Sequence, residues 1–285
     1  RSFRSAPARM SEHVRARKSL GQNFLTDPNI QRKIVAALDP QPQDTVVEIG
    51  PGLGALTEHL LGNVERLIAI ELDDRLAHRL QQLHGQRSDF NLLHEDALQV
   101  DLSALQLPAH FKVVGNIPYN ITTPLLFKLL ERCARPAVLI VMVQKEVAQR
   151  ISAPPGNKEY GALSVGIQSI ARVERLFNVG AGSFRPVPGV DSTVLRITPF
   201  LPPPATDQEE SDLRSLTRTL FGQRRKQIQS ILRNAPGYLL SAAEVEALTR
   251  EIGVEPKTRP EQLSTTQFAN LARALRARGR PHATA

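Results

Sequence analysis

Short apolar runs alternate with amphipathic stretches through the first half of this 285-residue chain, and that alternation restricts the fold more than any other feature. Thr45–Ile49, Arg66–Ile70, Phe90–Leu93, Lys112–Val114 and Ala137–Val143 each read as a buried strand. Helical spacing appears between them, over Ala55–Leu61, Asp74–Leu83 and Pro124–Leu130. Strand, helix and strand in repetition imply an α/β protein with a doubly wound, mostly parallel sheet. Ahead of it, Pro28 suits a first helical turn, and Ile30, Ile34, Val35 and Leu38 share one face. Gly161–Ile170 then reads as a helix, and Arg172–Phe177 and Ser192–Thr198 as strands with no crossover helix between them. The sheet is therefore expected to close with a late antiparallel hairpin. Four prolines between Pro199 and Thr206 mark a linker. Beyond it, Asp212–Asn234, Ser241–Ile252 and Ser264–Ala277 predict a smaller all-α domain.

Composition narrows the chemistry. The hydrophobic content of 41% supports a buried core, and no apolar run approaches the roughly 18 residues of a membrane span. Cys133 is the single cysteine, so no internal disulfide is available, and the seven histidines show no metal-ligand spacing. The net charge of +8 is unevenly placed. Residues 1–18 carry six Lys/Arg against Glu12, and residues 206–285 carry thirteen against nine acids. The body between them holds seventeen against eighteen, so two basic ends flank a near-neutral middle, as expected of a polyanion binder.

The polar signals gather at strand ends. Glu48-x-Gly50-x-Gly52-x-Gly54 follows the first strand of the series and opens a helix, where glycine permits close backbone approach to a ligand. Glu71 ends the next strand, where a carboxylate can pair with both ribose hydroxyls. Asp96 follows the third, placed to accept from an adenine amine, and Asn116-Ile117-Pro118-Tyr119 follows the fourth. Asn116 offers an acceptor to an exocyclic amine, and Ile117, before proline, is biased to an extended conformation that aims its carbonyl outward. Tyr119 supplies an aromatic face for a base. Together they predict a cleft for an adenosine-containing ligand.

These motifs resemble the class I S-adenosylmethionine-dependent methyltransferases. More narrowly, GQNFL, EIGPGLGALT, IELD, EDAL, GNIPYNITTPLL, QKEVAQR and SFRPVPGVDS, in this order, resemble the bacterial small-subunit ribosomal RNA adenine dimethyltransferases. The resemblance runs from about Lys18 to about Phe200 and continues through FGQRRKQIQSIL. It implies a Rossmann-like fold, with a basic N-terminal extension over residues 1–17, a methyltransferase domain over 18–201 and a helical RNA-positioning domain over 206–285. It also implies that Asn23 and Leu25 line the cleft for S-adenosyl-L-methionine, with Gly50 beneath the methionine part, Glu71 on the ribose and Asp96 on the adenine. Asn116 would lie between the cofactor methyl and the target base, a carbonyl near Ile117 or Pro118 would take the second N–H, and Tyr119 and Phe184 would sandwich the target adenine. Arg185 departs from the family, which often carries a small polar residue there.

The implied activity is dimethylation of N6 on two adjacent adenines near the 3' end of small-subunit rRNA. The implied partner is ribosomal RNA in the immature small subunit, met by a cytoplasmic monomer. Arg214, Arg218, Arg224, Arg225 and Lys226 are expected to face that RNA from one helix. Two other readings of the same motifs stay open: a large-subunit rRNA adenine methyltransferase of the macrolide-resistance type, and a non-catalytic RNA-binding assembly factor.

Overall fold

A computed structural model describes residues 15–130 and 135–280. The basic extension expected over 1–17 falls almost wholly outside these residues, as does Cys133.

Seven strands form the main sheet: β2 (Thr45–Ile49), β3 (Arg66–Glu71), β4 (Phe90–His94), β5 (Lys112–Asn116), β6 (Val138–Gln144), β7 (Ala171–Val179) and β9 (Ser192–Pro199). Their order is β4-β3-β2-β5-β6-β9-β7. The first five run parallel; β9 enters antiparallel between β6 and β7, which realises the late hairpin. Two short strands, β1 (Phe24–Leu25) and β8 (Phe184–Arg185), pair antiparallel beside the main sheet.

The strands bury both faces because their side chains alternate. Val47, Ile68, Ile70, Val113, Leu139, Val141 and Leu195 point into one core, packed under α4 (Thr122–Leu129), α5 (Lys145–Ser152) and α6 (Ala162–Gln168). Val46, Leu67, Ala69, Val114, Ile140, Met142 and Val194 point into the other, with residues of α1 (Pro28–Leu38), α2 (Thr57–Leu60) and α3 (Asp74–His84). Gly115 is fixed by the closeness of β2 and β5. A Cβ there would lie 2.6 Å from the Ile49 carbonyl oxygen.

The C-terminal helices are α7 (Asp207–Gly222), α8 (Ile228–Asn234), α9 (Ala242–Glu251) and α10 (Thr265–Ala277). Thr206, Ser241 and Ser264 each close a capping box, a local signal that fixes three of these starts. The single helix expected over Asp212–Asn234 is instead two, with a turn between Gly222 and Ile228. The apolar period continues through that turn because Ile228 and Ile231 enter the same core as Leu213, Leu216 and Leu220. That core is shared across the linker, since Ala153, Tyr160 and Val165 belong to it. The Phe221 ring meets Tyr160 edge-on at 6.0 Å and stacks on Phe268 at 5.5 Å. A buried ion pair between Arg135 and Glu210 adds a second tie, from the segment before β6 to α7.

Candidate active site

Parallel register brings the strand-end residues together. Ile49 sits opposite Ile70 and Gly115, Glu71 opposite His94, and Asn116 opposite Met142. The residues just past these pairs, Gly50, Asp96 and Ile117, therefore meet at one sheet edge, where doubly wound folds bind ligands. A cleft opens there, lined by Asn23, Leu25, Gly50, Glu71, Asp96, Asn116, Pro118 and Tyr119.

The glycine loop is shaped by the groups it touches. Gly52 has φ +60°, and a Cβ on it would come within 3.3 Å of the Phe24 ring. Its N–H donates to Glu71 Oε2 at 3.0 Å, while Glu71 Oε1 accepts from the Asp73 N–H at 2.9 Å. Glu71 is buried, and desolvation raises its pKa above the ordinary value. Each of its oxygens still has a lone pair for a ligand hydroxyl. Beneath the loop, Glu48 is 1% exposed and accepts from Thr57 Oγ1 at 2.7 Å. Burial pushes this carboxyl up from 4.5 to about 7, with a smaller push from the Glu71 charge. Asp96 Oδ1 takes the Leu98 N–H at 2.9 Å, and among the described residues Oδ2 stays open to an amine.

Residues 17–25 cross the cleft as a strap held at three places. Asp73 has no exposed side chain and accepts from Gln22 Nε2 at 2.9 Å and Arg75 Nη2 at 2.7 Å, with Arg17 at 3.4 Å. The Arg75 bond holds this carboxylate far below its usual range, aided by Gln22. The second hold is the β1–β8 ladder. The third is the Asn116 amide, whose Nδ2 donates to the Asn23 carbonyl at 2.9 Å. With its N–H committed to the strap, Asn116 presents Oδ1 as the acceptor for an incoming amine.

The neighbouring carbonyls are not equivalent. Pro118 O already accepts from the Ile121 N–H and from Thr122 Oγ1, both at 3.2 Å, in the first turn leading into α4. Its two lone pairs are spent, so Pro118 contributes a ring to the cleft wall and no acceptor. Among the described residues Ile117 O accepts no hydrogen bond, and it is the carbonyl left for a second N–H. The Tyr119 hydroxyl lies 2.8 Å from Ser192 Oγ.

Phe184 is not where the sandwich expectation put it. It is fully buried, opposite Leu25 in the β1–β8 ladder, and packs in the core with Leu25, Val179 and Val194. It does not line the cleft that holds Tyr119. Phe24, on the other side of that ladder, lines the cleft together with Tyr119. The basic cluster also divides. Arg218 lies on α7, whereas Arg224 lies in the turn after it and is bound to Glu261 and to the Asn157 carbonyl. Arg225 and Lys226 remain exposed. Glu48, Asp73 and Ser192 were given no role from the sequence, although each lies inside a motif that was read there.

The chain matches the family model described as ribosomal RNA adenine dimethylase over residues 13–277. It is 45% identical over 270 residues to ribosomal RNA small subunit methyltransferase A of Pseudomonas fluorescens, covering 94% of this chain and 96% of that protein. It is 44% identical over 271 residues to the protein of that name from Aromatoleum aromaticum, covering 94% and 97%. Among solved structures it resembles a dimethyladenosine transferase from Plasmodium falciparum, with a TM-score of 0.76 at 26% identity over 91% of this chain and 99% of that one. It also resembles the 23S rRNA methyltransferase ErmE, with a TM-score of 0.68 at 25% identity over 89% and 100%. With these matches spanning both halves of the chain, it belongs to the ribosomal RNA adenine dimethylase family, S-adenosylmethionine-dependent methyltransferases of rRNA adenine.

Proposed function

We propose that this chain dimethylates N6 of two adjacent adenines near the 3' end of small-subunit rRNA. It does so as a monomer in the cytoplasm, on the immature small subunit. The single observation that carries the reading is the orientation of Asn116, whose Nδ2 is tied to the Asn23 carbonyl so that Oδ1 is left to accept.

The residues present fit the cofactor. Gly50 and Gly52 let the backbone approach it, Glu71 has lone pairs for two ribose hydroxyls, and Asp96 has an open oxygen for the adenine amine. S-adenosylmethionine, when bound, supplies an electrophilic sulfonium methyl. Asn116 Oδ1 and the Ile117 carbonyl then hold the two N–H groups of the target amine. Adenine N6 is a weak nucleophile because its lone pair is delocalised into the ring. Two acceptors that favour a tetrahedral nitrogen concentrate that lone pair, which is electrostatic preorganisation combined with alignment. Tyr119 stacks on the extruded base, worth roughly 1–3 kcal/mol against an unstacking cost of a few kcal/mol. The C-terminal helices position the RNA through exposed cations, Arg218, Arg225 and Lys226 among them.

Asn116→Ala tests the assignment. Methyl incorporation into unmethylated small subunits should fall at least about a hundredfold, the scale of losing one preorganised group, with RNA affinity retained. Turnover equal to the parent would refute it. Mapping the methylated nucleotides by mass spectrometry, with protein-free large-subunit RNA as the competing substrate, decides the choice of RNA.

A further inference from the structure

Tyr119 sits on a short link between β5 and α4, and its neighbour Asn120 is exposed. The bonds to the Pro118 carbonyl fix the backbone of that link, but a stacking ring must also hold its plane. The ring is half-buried, and its hydroxyl meets Ser192 Oγ at 2.8 Å. Ser192 is a fixed point. It is fully buried, opens β9, and is paired on one side with Gln144 of β6 and on the other with Val179 of β7. Asp191 before it is anchored as well, its carbonyl accepting from the Lys145 N–H at 3.0 Å and its Oδ1 from the Ala181 N–H at 3.1 Å. Burial raises the Tyr119 phenol above its ordinary value, against the Ser192 hydrogen bond, which lowers it, and with Asp191 pushing up.

We propose that Ser192 is a positioning residue for methyl transfer, its hydroxyl tethering the Tyr119 phenol so that the ring keeps the plane needed to stack on the target adenine. The proposal rests on the reading of Tyr119 as that stacking face. The second transfer depends on the tether more than the first. A monomethylated amine has one N–H left for Asn116 and Ile117, so more of its alignment comes from the stacked ring. Loss of the tether therefore raises the share of monomethyladenosine.

The test compares Ser192→Ala, Tyr119→Phe, their double variant and Ser192→Thr on unmethylated small subunits, scoring mono- and dimethyladenosine by mass spectrometry. Each single variant should slow the second transfer about tenfold with the KM for S-adenosylmethionine unchanged. The double variant should be no slower than either single one, because both remove one hydrogen bond, and Ser192→Thr should restore the parental product ratio. Effects of the two single variants that multiply, or a parental product ratio in Ser192→Ala, overturn the tether. Should Ser192→Ala not fold, Tyr119→Phe removes the same bond from the cleft side and carries the test. Tyr119→Ala separates this proposal from the reading beneath it. If Tyr119→Ala loses transfer while Tyr119→Phe and Ser192→Ala behave as the parent, the tether alone fails; if Tyr119→Ala is also inert, the stacking assignment fails with it.

Discussion

Replacing Glu48 with Gln should remove a pH-dependent strain from the fold. The carboxyl is enclosed beneath the glycine loop, and burial shifts it from 4.5 to about 7. Between these values the native protein holds a proton that the unfolded chain has released. Ionisation then favours the unfolded state, so the site's contribution to stability falls as pH rises from about 4.5 to 7 and levels off above. A shift of that size at 1.36 kcal/mol per unit corresponds to about 3 kcal/mol. Glutamine keeps an oxygen for the Thr57 hydroxyl and carries no charge at any pH. Urea unfolding of cofactor-free parent and Glu48→Gln at pH 5 and pH 8, at matched ionic strength, measures the effect. The variant should gain on the parent by about 2–3 kcal/mol more at pH 8 than at pH 5. A gain that is the same at both values would mean that this carboxyl does not titrate near neutrality, and the burial reasoning would be refuted.

The strap and the basic turn give further expectations. Asp73→Ala removes the acceptor that joins Gln22, Arg17 and Arg75. It should cost about 1–3 kcal/mol of stability and weaken cofactor binding, read by thermal melting and by calorimetry. Because its pKa is depressed, the parental contribution of Asp73 is present at neutral pH and above its ordinary value of 3.8, and is lost as pH falls through the lower native value. Arg225→Gln with Lys226→Gln should flatten the log–log salt dependence of RNA affinity by about 1.4, the slope for two phosphate contacts on a single strand. Arg224→Gln should instead lower the melting temperature, since it breaks the hold on Glu261 and Asn157; an unchanged melt would count against that separation.

Much of the catalytic half was legible because its signals are local. A buried parallel strand is a short apolar run, and glycine, acid or amide directly after it can only lie at the sheet's ligand edge. That logic gathers Gly50, Glu71, Asp96 and Asn116 at one cleft, where the structure has them. What stayed hidden depends on pairing between distant segments. Nothing near Phe184 announces that it ladders with Leu25 and turns into the core. Nothing near Pro118 shows that its carbonyl is used by Ile121 and Thr122 while, among the described residues, that of Ile117 accepts none. Helix α5 went unread because it starts directly from β6 at Gln144, which makes no side-chain cap. The split of α7 from α8 was masked by an apolar rhythm that serves one interior on both sides of the turn.

The core that crosses the proline-rich linker changes what the tail is. Tyr160 and Val165 precede the linker in sequence but have their packing partners after it. Trimming the chain at residue 205 would leave them facing water, together with the end of Arg135 that now meets Glu210. The shortened protein would be sticky and unstable rather than a minimal catalyst. By the same joinery, a load taken up by the last four helices bears directly on α6, whose other face packs against the sheet.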